Sequence, residues 1–227
     1  SPLRLPSPLG EGPGVGLECP GVGLVRIRFA PHPIYDTYGP PAEPDAARRS
    51  LGIPPGVPVV LFFGFIRAYK GLDLLFRALL ETPGVHALVA GECYEDWQPY
   101  QELIDQNDLA RRVHLFTDFI PAAEVAQYFA AADLVVQPYR SATQSGISQI
   151  AYHFEKPMVV TNVGGLSEIV SDGVSGYVVA PEPGAIAAAI RDFFDHKRAA
   201  EMQQGVRREK ARFSWENLAR ALLNDKA

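Results

Sequence analysis

Cysteine is scarce in this chain. Cys19 and Cys93 are its two cysteines among 227 residues, and they match neither a CxxC pair nor a metal-ligand spacing. That excludes a disulfide framework as the organising principle and makes a reduced, cytosolic interior the simplest expectation. Histidine is nearly as sparse, at five, and none pairs with carboxylates at metal spacing. His32 sits between prolines, His86 and His114 open strands, and His153 lies in a helix off its apolar stripe. No Ser-His-Asp arrangement emerges from them. Long apolar runs are also missing. No stretch approaches the roughly 18 residues of a membrane span, and the opening "SPLRLPSPLGEG" lacks the apolar core of a signal peptide. Positive charge is in short supply, with 21 Lys and Arg against 26 Asp and Glu, a net charge of -5 and a pI near 5.6. Broad nucleic-acid binding needs a basic footprint and is not expected. A local basic pocket is still open.

The remaining composition is that of an ordinary globular protein, 47% hydrophobic and 21% charged, long enough for one large domain or one domain with appendages. Residues 1–24 are rich in Pro and Gly and have no hydrophobic period. Their "GEGPGVG" does not fit GxGxxG and follows no strand, so an irregular lead-in is expected. Residues 25–56 hold a short apolar piece, "LVRIRFAPHPIYDTY", a linker "PPAEPD", and "AARRSLGI", a short helix stopped by Gly52 and Pro54.

From Val57 the pattern becomes regular. Short apolar runs, "VPVVLFFG", "VHALVAGE", "RVHLFTDF", "DLVVQPY", "PMVVTNVGG" and "SGYVVA", alternate with helical-period runs. Leu72, Leu75, Phe76 and Leu79 share one helix face; Ile147, Ile150, Ala151 and Phe154 share another. Three helices close the chain, near 183–196, 199–211 and 215–224. Continuous apolar strands alternating with amphipathic helices predict an α/β, doubly wound, Rossmann-like parallel sheet with helices on both faces, over residues 57–212, with a last helix over 213–227. In such sheets ligands sit beyond the carboxyl ends of the strands. Gly64 to Lys70, Gly91-Glu92, Thr117 to Ile120, Tyr139 to Gly146 and Asn162 to Glu168 all follow strand ends and should ring one crevice.

Three loops there carry candidate chemistry. Arg67 and Lys70 follow the first strand, between Gly64 and Gly71. A guanidinium fork and a mobile ammonium suit phosphate oxygens; the alternative is two solvated loop charges, which the positive end of the following helix would disfavour. "YRSATQSGISQIAYHF" leads small polar residues into a helix start at Gln144, Ser145 and Gly146, whose amides either accept an anion or are merely capped by a nearby hydroxyl. "TNVGGLSEIV" opens a short helix with Gly164-Gly165, where Glu168 either bonds sugar hydroxyls or serves as a capping carboxylate.

In this order, "FFGFIRAYKGLDLL", "LVAGE", "YFAAADLVVQPY", "QSGISQIAYHFEKPMVVTNVGGLSEIV" and "DGVSGYVV" resemble the C-terminal, nucleotide-sugar-binding half of retaining glycosyltransferases of the GT-B fold, and within them glycosyltransferase family 4. The likeness runs over about Ile53 to Ala180. It implies a hexosyl transfer from a nucleotide-sugar donor to an acceptor hydroxyl. Arg67 and Lys70 match the cations that neutralise the donor diphosphate as the sugar–phosphate bond breaks. The backbone near Phe119 and Ile120 matches the base-holding segment, and Gln144 to Gly146 the phosphate-facing helix start. Gly64, Gly91, Glu92, Gln149, Gly164, Gly165 and Glu168 complete the donor-binding set. No metal or other cofactor is expected, the nucleotide-diphosphate sugar being substrate. The implied acceptor is a glycan or lipid-linked molecule, and the implied setting the cytoplasm or the inner face of the membrane.

Two departures stand out. Many members carry two glutamates spaced as Ala142 and Ile150 are here, for the donor sugar and ribose; neither position is acidic in this chain. Gln144 and Gln149 lie close by and can bond hydroxyls without charge. The other departure is length. GT-B enzymes have two Rossmann-like domains, and the 56 residues before Val57 cannot build the first. The chain therefore reads as a donor-binding half, with the acceptor side on a separate N-terminal domain or partner chain. The apolar stripe Trp215, Leu218, Ala219 and Leu222 then either packs locally or stays exposed.

Overall fold

The computed structural model describes residues 16–19, 22–26 and 32–223. Two short strands, β1 (Gly16–Cys19) and β2 (Val22–Arg26), pair antiparallel. The lead-in is thus not irregular throughout, as its composition suggested. Backbone hydrogen bonds alone can pair such a segment, so a Gly-rich stretch without hydrophobic alternation gives no warning of it.

The body is a six-stranded sheet. Its strands are β3 (Val59–Phe63), β4 (His86–Ala90), β5 (Val113–Phe116), β6 (Leu134–Gln137), β7 (Met158–Thr161) and β8 (Gly176–Val179), in the spatial order β5-β4-β3-β6-β7-β8. Every pairing is parallel. Between β5 and β3 the chain steps outward in one direction; from β6 to β8 it steps outward in the other. The reversal falls between β3 and β6, and a crevice opens at such a switch point because the loops leaving the two strands run to opposite faces.

Alternation along β3 divides the core. Val59, Leu61 and Phe63 pack on one face with Phe129, Tyr152 and Phe213, all buried. Val60 and Phe62 pack on the other with Leu72, Leu75, Phe76 and Phe193. The first face is covered by α1 (Pro44–Ser50), α4 (Val125–Ala131) and α5 (Gly146–His153); the second by α2 (Leu72–Leu80), α3 (Gln98–Gln106) and α7 (Pro183–Asp195). The predicted stripe of α2 is wholly buried. Short α6 (Leu166–Ile169) follows β7, and α8 (Ala199–Lys210) and α9 (Trp215–Leu223) follow α7.

The segment before the sheet is tied into it. Arg48 Nη2 on α1 donates to both carboxylate oxygens of Asp133 at 2.9 Å, and Asp133 Oδ2 also accepts the Val59 amide at 2.8 Å. The Ile34 amide donates to Phe213 O at 2.9 Å. On α8, Glu209 accepts Tyr152 Oη at 3.0 Å and Ser175 Oγ at 2.6 Å. In contrast, α9 buries no residue, and Trp215 and Leu222 are 56% and 67% exposed. The stripe read in the sequence exists and stays uncovered. No helix among the described residues is long and apolar enough to cross a membrane.

Candidate active site

The site begins with β3. Gly64 leaves it at φ +96°, its amide bonded to Ala90 O at 2.9 Å, and the Ile66 amide reaches Glu92 O at 2.9 Å. The loops after β3 and β4 therefore run side by side. Gly91 allows this, because a Cβ there would lie 2.4 Å from Gly64 O. A single 3-10 turn, Ala68–Lys70, follows and ends in Gly71 at φ 66°. A Cβ on Gly71 would stand 2.1 Å from Pro138 O. This contact presses the loop after β3 against the loop after β6, across the switch point.

Lys70 is the consequence. Its side chain is buried, and its Nζ lies 5.5 Å from the Tyr139 ring centroid. Among the described residues no carboxylate pairs with it. Burial, and secondarily repulsion from Arg67, push its pKa down to about 8. A cation desolvated without a counter-ion is costly, so an anion there would be bound at a site already prepared. Arg67 takes another course. It is exposed, and its guanidinium carbon lies 5.0 Å over the Tyr94 ring.

Across the crevice, α5 starts at Gly146. Ser145 is its N-cap, with Oγ accepting the Ile147 amide at 3.3 Å and lying 3.3 Å from Tyr139 Oη. Lys70, Tyr69, Tyr139 and the run Ser141–Ile147 line an open cleft of about 610 Å³. The start of α5, with its positive dipole end, thus shares that cleft with the buried ammonium.

On the far side of the same helix start lies a smaller cavity of about 210 Å³, bounded by Tyr35, Gln144, Gln149, Glu168, Arg212 and Phe213. Gln149 is 2% exposed, and its Oε1 is the one buried side-chain polar atom, among the described residues, with no hydrogen-bond partner. An orphaned amide oxygen of this kind costs about 1–3 kcal/mol unless a donor meets it. The Gln149 side chain is neutral and borders the smaller cavity, which makes its amide a candidate partner for a hydroxyl.

The structure gathers some predicted site residues and separates others. Lys70, Gln144, Ser145 and Gly146 meet in the cleft; Gln144, Gln149, Gly165 and Glu168 meet in the smaller cavity. Gly64 adjoins Lys70, a Cβ there being 3.3 Å from Nζ. Gly164 has a left-handed backbone, and a Cβ on it would lie 1.6 Å from Ala142 O; one on Gly165 would lie 2.6 Å from Thr143 O. The glycine pair admits the protein's own backbone, so that the loops after β6 and β7 interlock. Glu92 accepts Tyr94 Oη at 2.8 Å. Phe119 is 69% exposed beyond β5, and it lines neither cavity. Ala142 lines the cleft, whereas Ile150 is in the core. Sequence reasoning missed Tyr35 and Arg212. Tyr69 and Tyr139 fell within loops it placed at the crevice, without a role of their own.

The fold is an α/β domain with a crevice at its Rossmann-like switch point, where a cation without a carboxylate partner among the described residues faces a helix start. The family follows from comparison. The profile of Glycosyl transferases group 1 matches residues 57–196, more than half the chain, and the chain belongs to that family. It is 32% identical over 229 residues to D-inositol 3-phosphate glycosyltransferase 2 of Catenulispora acidiphila, covering 93% of this chain and 50% of that protein. It is 34% identical over 194 residues to the D-inositol 3-phosphate glycosyltransferase of Mycobacterium marinum, covering 81% and 41%. Among solved structures it matches the Anabaena protein HepE in complex with UDP, at TM-score 0.70 and 25% identity, over 83% of this chain and 56% of that one. The C-terminal domain of a group 1 family glycosyl transferase from Francisella tularensis shares the fold at TM-score 0.65 and 22% identity; 77% of this chain covers 94% of it. The chain spans about half the length of the curated relatives it matches.

Proposed function

We propose that this chain is the donor-binding half of a retaining glycosyltransferase that moves a hexose from a nucleotide-diphosphate sugar to an acceptor hydroxyl. The observation that carries the reading is Lys70, a buried ammonium without a carboxylate partner among the described residues, facing the start of α5. In the transfer, the bond from the anomeric carbon to the diphosphate breaks and its electron pair goes to the β-phosphate oxygen. The acceptor oxygen bonds the anomeric carbon, and its proton passes to the departing phosphate. Negative charge grows on that phosphate as the bond lengthens. A fixed ammonium and the positive end of α5 stabilise it more in the transition state than in the ground state. Arg67 adds long-range positive potential and, with rotation off Tyr94, a second contact. Gln149 and Glu168 are acceptors for hydroxyls of the donor in the smaller cavity. The nucleotide base lies toward Phe119 and Ile120.

UDP is the first donor base to test, since the HepE structure was solved with it. No metal is invoked, the cationic cleft supplying the charge. The acceptor side, for a glycan or lipid-linked acceptor, belongs to the half of the relatives that this chain does not match. The expected setting is the cytoplasm, at or near the inner face of the membrane. Calorimetric titration with UDP, GDP and ADP tests the donor site. Saturable binding of one of them is expected; no binding of any would end the reading.

A further inference from the structure

Lys70 hangs from a turn too short to hold itself. The 3-10 turn Ala68–Lys70 has two closing bonds, Lys70 amide to Arg67 O at 2.8 Å and Gly71 amide to Ala68 O at 3.2 Å. So brief a 3-10 segment has little intrinsic stability. Its other polar groups are met from far along the chain. The Ala68 amide donates to Glu95 Oε2 at 2.5 Å. Ala68 O accepts from Arg140 Nη1 at 3.1 Å, and Tyr69 O accepts the Arg140 amide at 2.7 Å. Both holders are themselves held. Arg140 forks onto Asp73 with bonds of 2.7 and 2.6 Å, and the other oxygen of Glu95 accepts Tyr100 Oη. Glu95 comes from the loop after β4 and Arg140 from the loop after β6. Neither lines the cleft.

We propose that Glu95 and Arg140 are positioning residues, clamping the Ala68–Lys70 turn from its two flanks and so fixing where Lys70 presents its ammonium to a diphosphate; this rests on the donor-site reading above. Partly exposed ion pairs such as Arg140–Asp73 add little to global stability. What they fix here is a place. An ammonium displaced by about an ångström loses a large part of what a preorganised site offers. The clamp also holds Lys70 out of water, beside Tyr139 and within the field of Arg67.

Two readouts on Glu95→Ala, Arg140→Ala and Arg140→Lys decide it. The first needs no ligand. Competitive acylation of Lys70 across pH, read by mass spectrometry, should show a midpoint near 8 in the parent protein. Freed from its buried place, the amine should titrate higher, toward an ordinary lysine. The sign is diagnostic for Glu95→Ala, since deleting a carboxylate by charge alone would move the midpoint down. Arg140→Lys keeps the charge and loses the fork, and covers the case in which Arg140→Ala does not fold. The second readout is calorimetric. UDP affinity should fall about tenfold while uridine affinity stays unchanged. A midpoint that stays near 8 in the folded variants, or an equal loss for UDP and uridine, overturns the clamp. If the parent protein binds none of UDP, GDP and ADP, the donor-site reading falls, and the labelling midpoint still decides the clamp by itself.

Discussion

The two cavities at the α5 start share three lining residues, Gln144, Ser145 and Gly146, yet they differ in what they lack. The open cleft holds a charge that is short of a partner, Lys70. The smaller cavity holds a neutral acceptor that is short of a partner, Gln149. Each unmet group states what its cavity lacks. An ammonium pushed down to about 8 by burial calls for an anion, and an amide oxygen without a donor calls for a hydroxyl. Placed on cavities that share one helix start, they match a ligand that is anionic at one end and hydroxylated at the other. The difference also bears on Ala142, which lines the cleft and is one of the two positions at which the family resemblance implied a glutamate. A carboxylate next to Lys70 would have satisfied the cation within the protein.

The change expected to have the largest effect breaks both cavities together. Gly164→Ala puts a Cβ where Ala142 O now sits and strains a left-handed backbone. Thermal unfolding should show a loss of about 3 kcal/mol; an unchanged midpoint would mean that the interlocked loops are not needed. Lys70→Ala separates the cavities. It should cost UDP roughly 100-fold in affinity by calorimetry, as expected for a charge-assisted phosphate contact, while the fold is retained. If affinity is untouched, the cleft is not the diphosphate site.

The pH dependence of UDP affinity sharpens the same point. The ammonium is the binding form, so above the range of about pH 6 where the terminal phosphate of UDP itself titrates, affinity should be level up to about pH 8 and fall about tenfold per unit beyond it, until the pKa of the bound state is passed. Stability should move oppositely. The folded pKa lies below the unfolded one, so stability should rise with pH through the window from about 8 to the ordinary lysine value of 10.5. A fall in stability over that window would contradict the buried placement of Lys70.

Gln149→Leu addresses the smaller cavity. Removing an unmet buried acceptor should leave stability equal or about 1 kcal/mol higher, leave UDP affinity unchanged, and abolish the preference for a UDP-sugar over UDP. Persistence of that preference would place the sugar elsewhere. The smallest effect belongs to α9. Trp215→Ala should shift stability by less than about 0.5 kcal/mol, because the side chain is 56% exposed. A large loss would show the stripe to be covered in solution.

Much of the fold was legible because burial on both sides makes a parallel strand read as an unbroken apolar run. The six runs from "VPVVLFFG" to "SGYVVA" all appear as strands, and the α2 stripe at Leu72, Leu75, Phe76 and Leu79 is buried as its period required. The pair of strands at Gly16–Cys19 and Val22–Arg26 was not legible, since backbone pairing needs no apolar alternation. Within the site, Gly64 to Lys70 and Gln144 to Gly146 could be named because they follow strand ends. The glycine pair at 164–165 was named as well, as part of the donor-binding set, and the atoms nearest to it belong to Ala142 and Thr143. Spacing tells that a backbone must approach something closely; it does not tell what.

The sequence by itself determined the strand and helix order, the edge of the sheet at which polar loops collect, and the presence of two cations in the first of them. These follow from periodicity and from local conformational preference, which are properties of neighbours in the chain. Only the tertiary structure decided that Lys70 is buried while Arg67 turns outward to Tyr94, that Gln149 is left without a donor, and that Glu95 and Arg140 meet on one turn. Burial, orphaned acceptors and shared contacts arise between residues 27 to 72 positions apart, and no local pattern carries that information.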